Sequence, residues 1–410
     1  ARQVGKTWIM KTFGQQYFEK TAYVNFDNNA RMKQVFEGDL DIERLVLAIS
    51  AETGVSIEAE NTLIIFDEVQ EVPKALTSLK YFHENAPQYA IVAAGSLLGV
   101  ALHQGTSFPV GKVDFLDLYP LNFREFLCAM GEKQFVSMLD SCDTQMVTVF
   151  KTKYIERLRE YYFVGGMPEV VKDFSEKKDY NRVRAIQKNL INYYQQDFSK
   201  HAEIKLVPRL NLVWNSIPMQ LAKENKKYIY GQVREGSRAK DFELAIQWLL
   251  DCGLIHKVQR IQKPDLPLKA YIDFDAFKLF LVDIGLLIAM TDLDAKVIIE
   301  GNKIFTEFKG SLTEQYILQQ LISDVGVIPY YYSTQNSKGE IDFLVQGKTS
   351  VIPIEVKAEE NLKAKSLKAF CEKYQPSYAV RTSMSDYREQ DWMTNIPLYA
   401  IKWIENYVNQ

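Results

Sequence analysis

Cysteine, histidine and long apolar runs are all scarce in this chain, and each shortage excludes something. The four cysteines (Cys128, Cys142, Cys252, Cys371) are scattered through 410 residues, with no C-x-x-C pair. That argues against a zinc site or a disulfide framework and fits a reducing, cytoplasmic setting. The four histidines are equally dispersed and form no metal-ligand pattern. No stretch approaches the ~20 consecutive apolar residues of a membrane span. An excess of one charge is missing too. A formal net charge of −3 gives no global basic signal for nucleic acid, although a local patch would not show in it. Hydrophobic residues at 47% and charged residues at 25% exclude a disordered chain. The length fits about two to four domains.

What is present begins at once. Ala1-Arg2-Gln3-Val4-Gly5-Lys6-Thr7 reads as the back end of a phosphate-binding loop, G-x-x-x-x-G-K-[ST], with the opening Gly expected just upstream. Val4 and Gly5 bring backbone N–H groups close to the phosphates, and Lys6 supplies a charge for the β/γ-phosphates. Thr7 opens a helix whose N-terminal dipole favours an anion, and its hydroxyl suits Mg²⁺. Trp8, Ile9, Met10 and Phe13 continue that helix. G-K-T alone is weak, but a second motif follows in the right order. Leu63-Ile64-Ile65-Phe66-Asp67-Glu68 is an unbroken apolar run ending in two carboxylates, the pattern of a strand buried on both faces of a parallel sheet. Its C-terminal end is where such sheets bind ligands. There Asp67 is expected to hold Mg²⁺ through water, and Glu68 to orient or deprotonate the attacking water.

Strands are also expected at Ala22–Asp27, Ala90–Ala94 and Val113–Leu118, and helices over about Asp41–Glu52 and Lys74–Asn85. The alternation implies a parallel, two-sided α/β sheet. Gly5-Lys6-Thr7, Asp67-Glu68-Val69-Gln70, Gly95-Ser96 and Tyr119-Pro120-Leu121-Asn122-Phe123-Arg124-Glu125-Phe126 together resemble a prokaryotic AAA-type P-loop ATPase family, whose members pair this module with an uncharacterised C-terminal domain. The resemblance spans essentially the whole chain. It implies ATP, in preference to GTP, with Mg²⁺. It also implies that Ser96 occupies the polar sensor position contacting the γ-phosphate or the water. Gly111-Lys112 stands where the family has Gly-Arg, so a transition-state arginine is not supplied there, since Lys lacks the planar fork. Arg124 is an alternative source, or else a solvated helix residue.

The expected organisation is a P-loop domain over 1–130, a helical lid or connector over 131–225, a winged-helix-like module over 226–283 and a restriction-endonuclease-like α/β domain over 284–410. Gly165-Gly166-Met167-Pro168-Glu169 breaks the helical section with a turn and matches a Gly-Gly-x-Pro element of the family. A long helix is expected from Arg182 to Phe198, its Tyr193-Tyr194 pair serving core or interface. In the winged-helix module a third helix runs from Lys240 to Cys252. Its start mixes Arg234, Arg238 and Lys240 with Glu235, Asp241 and Glu243, which suits protein docking better than DNA phosphates.

A second constellation lies in the last part. Glu314 sits on an expected helix, Lys309–Ile322. Asp342 sits on the strand Glu340–Val345, and Glu355 and Lys357 on the strand Val351–Lys357. Residues two apart on a strand share a face. The order resembles the core of restriction-endonuclease-like folds, which implies a candidate Mg²⁺-dependent nuclease site at Glu314, Asp342, Glu355 and Lys357. The functional expectation is Mg²⁺-dependent ATP binding and hydrolysis coupled to a partner of the C-terminal half. That partner is DNA or another protein, with no membrane involved and the oligomeric state open. The alternatives are an ATP-regulated nuclease and a nucleotide-dependent interaction module without turnover. The strand feeding the phosphate loop is expected to lie upstream of Ala1, so the chain is expected to be a fragment. As written, its N-terminal domain should be loosely packed and bind ATP poorly, while the C-terminal half should fold alone.

Overall fold

A computed structural model describes residues 2–96, 111–223, 226–300, 306–334, 339–358 and 364–410. The chain divides into two compact units, 1–118 with 251–253, and 119–250 with 254–410.

In the first unit, strands β1 (Lys20–Asn25), β2 (Thr62–Asp67) and β3 (Ala90–Ala94) form a parallel sheet in the order β1-β2-β3 among the described residues. All six residues of β2 are buried, as its unbroken apolar run requires. Helices Lys6–Tyr17, Ala30–Glu37, Ile42–Thr53 and Pro73–Asn85 accompany the sheet. Their starts follow local chemistry. Asn29 and Asp41 accept from the backbone N–H groups of Met32 and Arg44, and Pro73 stands at a first helical position. Phe26, Phe36 and Phe66 meet edge to face, with ring centroids 5.4–5.6 Å apart, and knit β2 to the helix Ala30–Glu37.

The fifth strand expected at Val113–Leu118 does not form. The segment is irregular, and Phe115 and Leu116 are 61% and 96% exposed. Alternating apolar residues make a strand only beside a neighbour that takes their backbone hydrogen bonds, and none of the described strands pairs with this one.

In the second unit, Asn122 and Glu125 form a reciprocal capping box that starts the helix Phe123–Ala129. The Gly-Gly turn has a steric reason. Gly165 adopts φ 74, and a Cβ on Gly166 would lie 2.1 Å from the Leu121 carbonyl oxygen. Leu121 N–H donates to the Gly166 carbonyl at 2.7 Å, and Gly166 N–H donates to the buried Asp283 carboxylate at 2.6 Å. Burial pushes the Asp283 carboxyl up to about 6 even though several backbone N–H groups favour its anion. The long helix runs from Tyr180 to His201 and buries Tyr194 against Trp214, while Tyr193 stays 47% exposed.

Helices Val207–Leu221, Tyr230–Val233 and Ala239–Asp251 precede a hairpin of β4 (Ile255–Ile261) and β5 (Ile272–Leu281). That hairpin is built into a larger sheet rather than standing free, because β4 pairs in parallel with β6 (Tyr330–Ser333). The sheet continues through β7 (Glu340–Gln346), β8 (Val351–Val356), β9 (Val380–Ser383), β10 (Arg388–Gln390) and β11 (Met393–Pro397), in the order β10-β11-β9-β8-β7-β6-β4-β5. Helix Thr306–Gln320 contacts β8, and helix Lys365–Tyr374 contacts β7 and β8.

Candidate nucleotide-binding site

The loop at the start of the first unit is shaped by one residue. Gly5 sits in the left-handed region at φ 92, ψ 14, where a Cβ would be strained, and its carbonyl accepts from Ile9 N–H at 2.9 Å. Val4 is buried and anchors the loop. The helix begins at Lys6, so Lys6 and Thr7 occupy its first turn. Thr7 Oγ1 donates to Asp67 Oδ2 at 2.7 Å. Tyr23 on β1 donates its hydroxyl to the same oxygen at 2.9 Å, and Asp67 Oδ1 accepts from Glu68 N–H at 3.0 Å. Burial and then the bond to Asp67 push the Tyr23 hydroxyl up to about 12, so Tyr23 stays a donor. Lys11 stacks over the Tyr23 ring at 3.6 Å.

Lys6 lies near Asp67 and Glu68. Burial draws its ammonium below the usual lysine range, and the two carboxylates oppose that shift. Glu68 leaves β2 in a left-handed conformation, φ 52, and turns into the short Val69–Glu71 helical turn. Its Oε2 accepts from Gln70 Nε2 at 2.6 Å and from Ser96 Oγ at 2.7 Å, while Arg2 Nε donates to Ser96 Oγ at 3.0 Å. Burial alone would raise the Glu68 carboxyl, but the bonds from Gln70 and Ser96 outweigh it and hold Glu68 below its usual range.

Lys6, Thr7, Asp67, Glu68 and Ser96 thus meet at one end of the sheet. Tyr23, Gln70 and Arg2 join them without having been expected. The signal for Tyr23 was in the sequence, as a polar ring on the strand beside the carboxylate strand. Arg124 is not a solvated helix residue. In the second unit it is held by Asp324 at 2.9 Å and by Asp140. Lys112 pairs with Glu84 at 3.2 Å. Among the described residues no group of three or more His, Cys, Asp or Glu side chains could hold a metal ion. A Mg²⁺ bridging phosphates does not need one, since it keeps waters and takes one or two protein oxygens besides the nucleotide's own. The Thr7 hydroxyl and Asp67 carboxylate are oxygen donors of that kind.

The second constellation is arranged otherwise. Glu314 is buried against Lys226 and against Lys278 Nζ at 3.6 Å, and Lys278, fully buried on β5, also pairs with Glu340. Burial disfavours the Glu314 anion, but these two lysines more than restore it. Asp342 Oδ2 accepts from Val356 N–H at 2.7 Å. Glu355 stands across from Asp342, one step beyond the ladder pair Phe343–Ile354. Glu355 is committed to Lys357 at 2.6 Å and to Leu367 N–H at 3.0 Å. The four expected residues therefore lie near one end of β7 and β8, and Glu314, Asp342 and Glu355 each have at least one cation or backbone N–H partner. At the start of the Ala239–Asp251 helix, Arg209, Arg234, Glu235 and Asp241 line a cavity of about 330 Å³, so both signs of charge meet there.

Asp342 gives a pH-dependent prediction. Burial and the nearby Glu314 carboxylate push its carboxyl up to about 7, with Lys278 and Lys226 opposing. A carboxyl raised above its unfolded value of about 3.9 binds a proton more tightly in the fold, so stability falls as pH rises between the two values. An Asn here keeps an acceptor for Val356 N–H and does not titrate. Asp342→Asn should therefore gain on the wild type between pH 5 and pH 8, read as a relative rise of a few degrees in Tm. An unchanged difference between the two proteins at both pH values would refute this.

Comparison with known families locates these features. Residues 1–127 match an AAA domain family, residues 155–297 a domain of unknown function (DUF8612), and residues 309–401 another domain of unknown function (DUF4143). No curated protein and no solved structure matches the chain. The first of these matches ends two residues before Ala129, the last residue of the capped helix, and covers every residue of the nucleotide site described above. The chain thus carries an N-terminal AAA-type P-loop domain followed by two domains of unknown function.

Proposed function

We propose that the first unit binds ATP with Mg²⁺ and hydrolyses it, and that the second unit engages a partner in response. The observation that carries this is the 2.7 Å bond from Thr7 Oγ1 to Asp67 Oδ2, which joins the end of the phosphate loop to the carboxylate strand. Lys6 faces the β- and γ-phosphates, and the Val4–Thr7 backbone cradles them. Bound Mg²⁺ would neutralise charge on the β/γ oxygens, held by Thr7 and, through water, by Asp67. Glu68 takes a proton as water attacks the γ-phosphorus and the bond to the ADP oxygen breaks. Ser96 stands where it can contact the γ-phosphate or that water. Nucleic acid is the first candidate partner and another protein the second, and the mixed charge around Arg209 and Arg234 leaves room for both. Among the described residues no helix is long and apolar enough to cross a membrane.

The test is phosphate release from ATP by the full chain, with Mg²⁺ or EDTA, and with or without duplex DNA. Release above the protein-free rate in Mg²⁺, lost in EDTA, is expected. ATP binding without release would leave a nucleotide-dependent interaction module, and neither binding nor release would remove the reading.

A further inference from the structure

Gln70 closes the motif Asp67-Glu68-Val69-Gln70, yet hydrolysis as described above gives it no task. Its chemistry suggests one. A glutamine amide offers N–H donors on one side and a carbonyl acceptor on the other. The Val69–Glu71 turn, pinned by fully buried Val69, folds Gln70 back so that Nε2 donates to Glu68 Oε2 at 2.6 Å. The Ser96 hydroxyl donates to the same oxygen at 2.7 Å. A hydroxyl has one proton, so Ser96 spends it on Glu68 and accepts from Arg2 Nε, which fixes the direction Arg2 to Ser96 to Glu68. Ser96 N–H also points at Oε2, at 3.4 Å. Every described donor to this carboxylate lands on Oε2, and Oε1 accepts from none of them.

The other end of the amide shows what this arrangement costs. Gln70 Oε1 is buried and has no hydrogen-bond partner among the described residues. A buried acceptor left without a donor is destabilising. Turning the amide over would not help, because its carbonyl would then face the Glu68 carboxylate. The cost is accepted to keep the donor on Glu68.

We propose that Gln70 is a positioning residue for the hydrolysis assigned above. With Ser96 it ties down Oε2, so that Oε1 alone faces the attacking water and receives its proton. This rests on the ATPase reading.

The test uses Gln70→Met in the full chain, since Met is close in length and volume and has no donor. Expected are a kcat about tenfold lower, the equivalent of about 1.4 kcal/mol, and an ATP Kd within about twofold. Because Gln70 acts through Glu68, adding Gln70→Met to Glu68→Gln should cost nothing further. Turnover by the wild type with an unchanged rate in Gln70→Met overturns the assignment alone. So does a parallel loss of affinity and rate, which would mark a merely structural role. A wild type that binds ATP without turnover removes the ATPase reading and this assignment with it.

Discussion

Lys6→Ala should weaken ATP binding by about a hundredfold or more while leaving the first unit folded. Lys6 lies near two carboxylates, Asp67 and Glu68, and burial already works against its charge. The ammonium does two jobs there. It attracts the polyphosphate, and it screens the phosphates from Asp67 and Glu68. Alanine removes the attraction and leaves two anions facing a highly charged anion at partly buried positions, where water screens them poorly. A hundredfold change in Kd is about 2.7 kcal/mol, within reach of losing one charge-assisted phosphate contact together with the screening. The fold should survive, because Thr7 Oγ1 still bonds Asp67, Ile9 N–H still bonds the Gly5 carbonyl, and Val4 remains buried. Titration of fluorescent ATP analogue and of ATP itself, beside a thermal melt, measures both halves of the expectation. A Kd within about threefold of wild type, with an unchanged melt, would show that the phosphates do not meet Lys6.

The parts of this architecture legible in the sequence are those where one residue type decides one geometry. The run Leu63–Phe66 could only be a strand covered on both faces, and β2 is wholly buried. Gly5 before Lys6 was expected to let the backbone come close to a phosphate, and the left-handed turn at Gly5 shapes that loop. Glu355 and Lys357, two apart on a strand, were expected on one face and lie 2.6 Å apart. Less legible were features that depend on what lies opposite. Val113–Leu118 alternates well enough for a strand, but alternation says nothing about a pairing partner, and the segment is irregular. Lys278 breaks the apolar run Phe277–Leu281 and could have been read as a solvated residue. Instead it is fully buried between Glu314 and Glu340, contributed by a helix and a strand far along the chain. Gln70 was legible as part of a motif but not as a donor to Glu68, because the left-handed turn at Glu68 that folds it back has no signature in residue type.

Glu68→Gln should cut kcat by about a hundredfold to a thousandfold, in the range for losing a general base, while leaving ATP affinity within about twofold. The reason lies in how an amide would sit in the carboxylate's place. Gln70 Nε2 and Ser96 Oγ both donate to Oε2, so the carbonyl oxygen of the new glutamine must take that position. Its amide nitrogen then replaces Oε1. The atom left for the water becomes an N–H donor where an acceptor is needed, so the water is turned the wrong way as well as left with its proton. Side-chain size hardly changes, and Lys6, Thr7 and Asp67 keep their places, so the nucleotide should still bind. Single-turnover hydrolysis of ATP in Mg²⁺, with ATP affinity measured in parallel, reads both quantities. A rate within a few-fold of wild type would show that Glu68 does not accept the proton.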